Sequence, residues 1–547
     1  MKAAIHRWAH WPTSAELVQC WQQHQTQQPQ QPLYWHIHTN RLPESRCFSP
    51  GHADFNQRLQ QALRYWQPPG HYCIPQLLPN STLMLLPAHE SVHTHSPPWL
   101  TAAPILPVQH VAIVGAGIAG AATAYALAQR GVAVTVLEAG QAAQAASGNR
   151  QGLLYAKIAA HPTAQTKLLL AGYGYSRQLL DLTLPESHGW HACGVLHLNH
   201  NASEERRNQQ LAQQHPHSTL YQAVNAAEAS ALAGVPISHS GLWWPHGAWL
   251  HPPAWVNALL AHPHIRLVEY ARVEDVERHH NHWQLSYRQH GHAHILAASH
   301  VVLCGGAASA HLPLLHGWPF QPIRGQTSTA RAGVLAQQLR CALSGASYIS
   351  PAWQGQVCFG ASFVPNDAGH DWRAAEQQHN WRELHRLNPA LAADLHTANP
   401  DNHQAGGHAA VRCDSFDHLP VVGAVGDAAA MRQIYAKLAH DKNQCINIPC
   451  PWLPGIYINT AHGSRGLATA PLCGEAVAAA ILGLPSPLSP RLQHALHPNR
   501  LVIRSLTHHQ PWPLRMVSGS PIELKIDTRI KYHYFLGCLK GRYAAPA

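Results

Sequence analysis

The feature that most constrains this 547-residue chain is the run HVAIVGAGIAGAATAYALAQRGVAVTVLEAG, from His110 to Gly140. VAIV is continuously apolar, as expected of a parallel strand buried on both faces. Gly115, Gly117 and Gly120 follow as GxGxxG. An alanine-rich segment then runs to Arg130, Gly131 caps it, and VAVTVLE returns as a second strand. Glycines in those places let backbone approach a pyrophosphate held at a helix N-terminus. Glu138, 18 residues beyond Gly120, stands where a carboxylate receives ribose hydroxyls. A glycine turn alone is common. Strand, turn, helix, strand and terminal acid together specify a dinucleotide site.

The sequence after the second strand bears on which dinucleotide. QAASGNRQGLLYAKI, from Gln144 to Ile158, enters as a polar loop where a NAD-binding unit usually continues its βαβ repeat. Ser147, Asn149, Arg150 and Gly152 are candidates for lining an FAD diphosphate and ribityl chain. HVVLCGGAASAHL, from His300 to Leu312, repeats the strand and glycine turn, with Gly305 as the contact candidate. YINTAHGSRGLATAPLCGEAVAAAILG adds a third strand, a turn through Gly463, Ser464, Gly466 and Leu467, and a helix whose N-terminus is expected to face the flavin. A nucleotide fold assembled from separated segments, with a second domain inserted, is flavoprotein architecture.

These strings resemble the FAD-dependent oxidoreductase half of the MnmC family of bifunctional tRNA-modification proteins, over about Val108 to Arg504. The resemblance rests on ASGNRQGLLY (146–155), GASFVPND (360–367), VRCDSFDHLPVVGAVGD (411–427), GSRGLATAPLCGE (463–475) and ALHPNRLVIR ending at Arg504. PIRGQTS (322–328) is shared more widely with glycine- and D-amino-acid-oxidase-like flavoenzymes. The resemblance implies an α/β and α+β chain: a Rossmann-like FAD-binding domain in separated segments plus an inserted mixed-sheet substrate domain. The expected division is a degenerate methyltransferase remnant and Pro-rich linker over 1–107, FAD-binding parts at 108–190, 265–316 and 406–504, substrate parts at 191–264 and 317–405, and an unassigned basic tail at 505–547.

The chemistry implied is oxidation of a carboxymethylaminomethyl group on the wobble uridine of tRNA. Hydride passes from the glycine-like α-carbon to the flavin, water hydrolyses the imine, glyoxylate departs and an aminomethyl group remains. Such a substrate needs a cation for its carboxylate. Arg412 is the first candidate, with an ion pair to Asp414 or Asp417 as its structural alternative. Arg465 is the second, with a loop-fixing role as its alternative. Arg324 is expected at the domain junction, and Tyr155 and Tyr348 stand as pocket or core tyrosines. Implied partners are the tRNA anticodon loop, oxygen as electron acceptor, and a separate methyltransferase acting downstream. A small-amine oxidase for glycine, sarcosine or a D-amino acid, and an inactive tRNA-binding flavoprotein, share these features.

Composition agrees with a polyanionic partner: 37 Lys and Arg against 27 Asp and Glu give a net charge of +10, before any of the 46 histidines is protonated. A basic face near the flavin opening is expected. The twelve cysteines include no CxxC pair, and the histidines are not grouped with them, so no metal site is expected. No signal sequence or membrane span is apparent, and the expected location is the cytoplasm. The first hundred residues read as irregular. QQHQTQQPQQP (22–32) looks like a linker, LYWHIHTN and STLMLLP like strands, and FNQRLQQALRYW like a helix. The segment lacks a glycine-rich S-adenosylmethionine loop and an acid at the end of its first recognisable strand, and it looks too short and irregular for a continuous parallel sheet.

Overall fold

The computed structural model describes residues 2–88, 96–100, 102–215, 218–399 and 406–509. Of the tail expected over 505–547, only 505–509 are among them, so that expectation lies mainly outside the described residues.

The N-terminal segment is an ordered α/β unit, which corrects the irregular reading. Strands β1 (Ala4–Trp8), β2 (Leu33–His38), β3 (Tyr72–Pro75) and β4 (Ser81–Leu86) form one sheet in the order β1-β2-β4-β3. The first two pairings are parallel and the last antiparallel. Helix α1 (Ser14–Gln27) joins β1 to β2, and α2 (Ala53–Leu63) follows β2. The glutamine run is no linker: Gln22–Gln27 is the second half of α1. Glutamine is a good helix former. Thr13 and Glu16 close a capping box, while Leu17 and His24 are buried. A parallel sheet this small is feasible because its other face is covered by the rest of the chain. Tyr34 Oη accepts from Arg130 Nη2 at 3.4 Å, and Tyr72 Oη accepts from Gln178 Nε2 at 2.6 Å. The Tyr72 ring lies where a Cβ on Gly174 would stand, 2.3 Å from its nearest carbon.

The second sheet gathers distant segments. Its order is Ile265–Val268, β6 (Val134–Leu137), β5 (Val111–Val114), His300–Leu303, Trp452–Thr460 and Val421–Gly426. The first five strands run parallel and the last antiparallel. Helix α3 (Ile118–Ala128) follows β5 and packs on the Gly466–Leu482 helix. A Cβ on Gly474 would lie 2.9 Å from Thr123 N, so glycine is what permits this approach. Below the contact, Arg130 and Glu475 form a buried bidentate pair, and Tyr175 Oη donates to Glu475 at 3.2 Å.

The third sheet has nine strands among the described residues. Near one end of it the long strand Gln321–Arg331 pairs antiparallel with Gln356–Gly360 on one side and Gly407–Asp414 on the other. Helices Ala374–Leu387 and Pro389–Ala398 belong to this layer. Arg324, expected at the domain junction, is instead enclosed here at 0% exposure. Its Nε donates to Glu376 at 2.6 Å, and its other nitrogens reach Gly369 O, Asp371 O and Gln326 Oε1. It ties this long strand to the segment entering the helix. A buried guanidinium with two carboxylates in reach, Glu376 and Asp371 at 3.5 Å, and three further acceptors is a structural arginine.

Candidate FAD and substrate site

The dinucleotide cradle forms at the carboxyl ends of the parallel strands, where open α/β sheets bind ligands. Gly115 has φ +103°, and a Cβ there would lie 2.8 Å from Cys304 O on the neighbouring strand's turn. A Cβ on Gly120 would lie 1.9 Å from Gly115 O, which no rearrangement of side chains relieves. Ser147 Oγ accepts from Ile118 N–H at 3.0 Å, placing the loop after β6 over the first turn of α3. Glu138, at the end of β6, accepts from Ala116 N–H at 2.7 Å and Gly140 N–H at 3.0 Å. A carboxylate has about four lone-pair sites, so positions remain for ribose hydroxyls. Gly305 lies beside Gly115, as the sequence suggested.

The remaining cofactor candidates converge in part. Gly152 and Leu467 are neighbours: a Cβ on the former would be 2.7 Å from the Leu467 side chain. Gly463 has φ +55° and donates to Cys413 O at 2.7 Å, while Gly466 begins a helix and faces Ile118 of α3. Ser464 is exposed. Asn149 Oδ1 accepts from Thr327 Oγ1 at 3.5 Å. Arg150 turns toward the third sheet: its Nη2 donates to Trp353 O at 2.8 Å, and its guanidinium lies 4.7 Å from the Trp353 ring centroid. Gly148 packs against His408, whose Nε2 meets Ala145 O at 2.8 Å; this pairing was not evident from the sequence.

The two candidate clamp arginines share an electrostatic condition. Arg412 lies on Gly407–Asp414, opposite Ile323 and next to the Arg324–Val411 pair. Its guanidinium occupies a notch left by Gly325, where a Cβ would stand 2.1 Å from Nη2. Among the described residues it donates only to Ser362 O, at 3.4 Å, and it lies 5.9 Å from the Phe363 ring. The alternative ion pairs are not made: Asp414 is bonded to His418 at 2.7 Å, and Asp417 to Arg500 at 3.0 Å. Arg465, N-cap of the 466–482 helix, also has no carboxylate partner among the described residues, and its Nη1 is buried without an acceptor. Desolvation lowers the pKa of both guanidinium groups. Tyr348 donates to Gln151 O at 3.0 Å, and Tyr155 Oη lies 2.7 Å from Ser344 Oγ.

A family model for FAD dependent oxidoreductases matches residues 110–480. The chain belongs to that family. Its cofactor is FAD, and the cradle just described fits the group, since its glycines occupy places that a Cβ would fill. Within the family, the chain is 41% identical over 395 residues to the tRNA 5-methylaminomethyl-2-thiouridine biosynthesis bifunctional protein MnmC of Pseudomonas putida strain F1, covering 72% of this chain and 60% of that one. The protein of the same name in Pseudomonas savastanoi pv. phaseolicola is 40% identical over 418 residues, 75% and 62% of the two chains. The chain thus spans about three fifths of the length of these relatives. Glycine oxidase from Geobacillus kaustophilus shares the fold with TM-score 0.57 at 20% identity, over 72% of this chain and 99% of that one. L-proline dehydrogenase from P. horikoshii also has TM-score 0.57, at 16% identity over 72% and 98%. Both likenesses confirm the D-amino-acid-oxidase-like architecture. Among the described residues no helix is long and apolar enough to cross a membrane.

Proposed function

We propose that this FAD-dependent oxidoreductase removes the carboxymethyl group from 5-carboxymethylaminomethyl-(2-thio)uridine at the tRNA wobble position, releasing glyoxylate and leaving the aminomethyl nucleotide. The observation that carries this reading is Arg412, a desolvated guanidinium that makes no ion pair among the described residues, set in a notch that Gly325 leaves open. A buried cation without a counter-charge is costly, and a substrate carboxylate supplies that charge with bidentate geometry. The 41% identity to relatives named for tRNA 5-methylaminomethyl-2-thiouridine biosynthesis supports a modified uridine as the bearer of that carboxylate.

Gly115, Gly117, Gly120, Glu138, Ser147, Asn149, Gly152, Gly305, Gly463, Gly466 and Leu467 would hold FAD, with Arg150 and Ser464 at the margin of the cradle. Bound FAD supplies the hydride acceptor. Arg412 binds and orients the carboxylate, fixing the α-carbon for transfer. Oxygen as the final electron acceptor belongs to this proposal, as does a separate methyltransferase downstream. The N-terminal unit supports the latter point: β2 leads into Thr39 with no carboxylate, and β1 into Ala9-His10-Trp11-Pro12 rather than a glycine turn.

The test is anaerobic. tRNA from cells that accumulate the carboxymethylaminomethyl nucleoside should bleach the yellow enzyme and release glyoxylate. Bleaching by glycine or sarcosine, with the modified tRNA inert, refutes the proposal. Measurable S-adenosylmethionine binding would overturn the reading of the N-terminal unit.

A further inference from the structure

A second group of cations lies along the wall that begins at Tyr155. Lys157 follows the short Gly152–Leu154 strand, Arg207 lies on the Ala202–Gln214 helix, and Arg465 caps the 466–482 helix. Glu204 is the close carboxylate of two of them, 3.4 Å from Lys157 Nζ and 2.6 Å from Arg207 Nη2, while the acid that acts on Arg465 is Asp414. His197 Nε2 meets the same carboxylate at 2.6 Å, and Tyr155 Oη lies 3.4 Å from His197 Nδ1. Burial holds His197 neutral, its pKa pushed down to about 4. Lys157 and Arg207 share one carboxylate, which leaves one positive charge unbalanced there, and Arg465 makes no ion pair among the described residues. Two donors have no acceptor among the described residues: Arg207 Nε and Arg465 Nη1 are both buried and unbonded there. Desolvation also lowers Lys157, and the charge of Arg465 adds to that effect.

Arg412 does not account for this surplus, because it lies against Gly325 and Ser362 on a different strand. A substrate with one carboxylate satisfies Arg412 and leaves the Tyr155 wall uncompensated. We propose that Lys157, Arg207 and Arg465 form a second anion subsite, which takes a backbone phosphate of the target nucleotide while Arg412 takes its carboxylate. The inference rests on the functional reading above and sharpens it: the substrate is recognised as a carboxylate and a phosphate held apart by a nucleoside. Glycine and sarcosine carry only the first. Glu204 limits the site, since it neutralises part of the charge that would otherwise meet the phosphate, and it keeps Lys157 and Arg207 in place when no ligand is bound.

The experiment uses the FAD-loaded full chain with three probes: the carboxymethylaminomethyl nucleoside, its 5′-monophosphate, and glycine. Binding is read from perturbation of the flavin spectrum, turnover from glyoxylate. The wild type should bind the monophosphate about 10- to 100-fold more tightly than the nucleoside, as expected for charge-assisted hydrogen bonds to a phosphate. In Lys157→Met or Arg207→Met this preference should shrink to about threefold or less, and Lys157→Arg should restore most of it. Glu204→Gln should move the preference the other way. For tRNA, each lost cation should flatten the dependence of log Kd on log salt by roughly 0.7. Lys157 is one-third exposed, so its variants are expected to fold and keep flavin. Equal binding of nucleoside and monophosphate by the wild type, with both still oxidised, overturns the subsite and leaves the functional reading standing. Turnover of glycine with neither uridine compound oxidised overturns the functional reading, and the subsite with it.

Discussion

Replacing Arg412 separates a binding role from a structural one, because the two roles predict opposite changes in stability. Among the described residues the guanidinium has one weak acceptor at 3.4 Å and no ion pair, so Arg412→Met removes a desolvated charge and almost no bonding. Apolar replacement of poorly compensated buried charge is typically neutral or stabilising, by about 1–4 kcal/mol. The expected thermal midpoint is therefore at or above that of the wild type, with flavin content unchanged. Activity should move the other way. Two charge-assisted hydrogen bonds to a carboxylate, at roughly 1.5–3 kcal/mol each, predict a fall in kcat/KM of about two to four orders of magnitude.

Gly325→Ala supplies an independent perturbation that keeps the charge. Its Cβ would lie 2.1 Å from Nη2, where ordinary contact begins at 3.4 Å, so the guanidinium must shift by at least 1.3 Å. A displacement of that size costs about a hundredfold in rate. The assays are a thermal melt followed by flavin and tryptophan fluorescence, and initial rates on modified tRNA. A melting temperature lowered by several degrees in Arg412→Met, with kcat/KM within threefold of wild type, would refute the clamp.

Further outcomes follow from the same geometry. Gly120→Ala places a Cβ 1.9 Å from Gly115 O, a backbone atom, and should yield colourless or insoluble protein; gel filtration with flavin quantification checks this. Glu475→Gln leaves Arg130 charged and buried beside Tyr34, and should cost about 3–5 kcal/mol in chemical denaturation; Arg130→Met with Glu475→Met together should cost far less. Burial pushes His36, His197 and His300 down to about 4, and His462 and His497 to about 3. Below about pH 6.5 the unfolded chain therefore binds protons that the folded chain refuses. Stability is full above that pH and falls as pH drops toward 4, with a slope of up to about 1.4 kcal/mol per pH unit for each histidine. A urea midpoint that does not change between pH 7.5 and 5 would contradict this assignment.

Those five histidines also qualify the charge count. They stay neutral where exposed imidazoles begin to gain protons, so the net positive charge rises less on mild acidification than the count of 46 implies.

The sequence alone determined the dinucleotide unit and the flavin reading. Spacing along a strand, a glycine turn and a helix is local, and residues 111–138 fix their own geometry through backbone sterics and hydrogen bonding. It also determined the turn at Gly463 and Gly466, since a single string carried it. Tertiary structure decided what those residues face. That Arg412 makes no ion pair among the described residues depends on Asp414 turning to His418 and Asp417 to Arg500, and its notch on a glycine 87 positions away along the chain. That the glutamine run is helical depends on Leu17 and His24 finding a sheet to pack on, and that sheet is closed by Tyr34 and Tyr72 against the oxidoreductase. The group of Lys157, Glu204, Arg207 and Arg465 joins residues separated by up to 308 positions. Burial and pairing are properties of the packed chain, and no local pattern in the sequence encodes them.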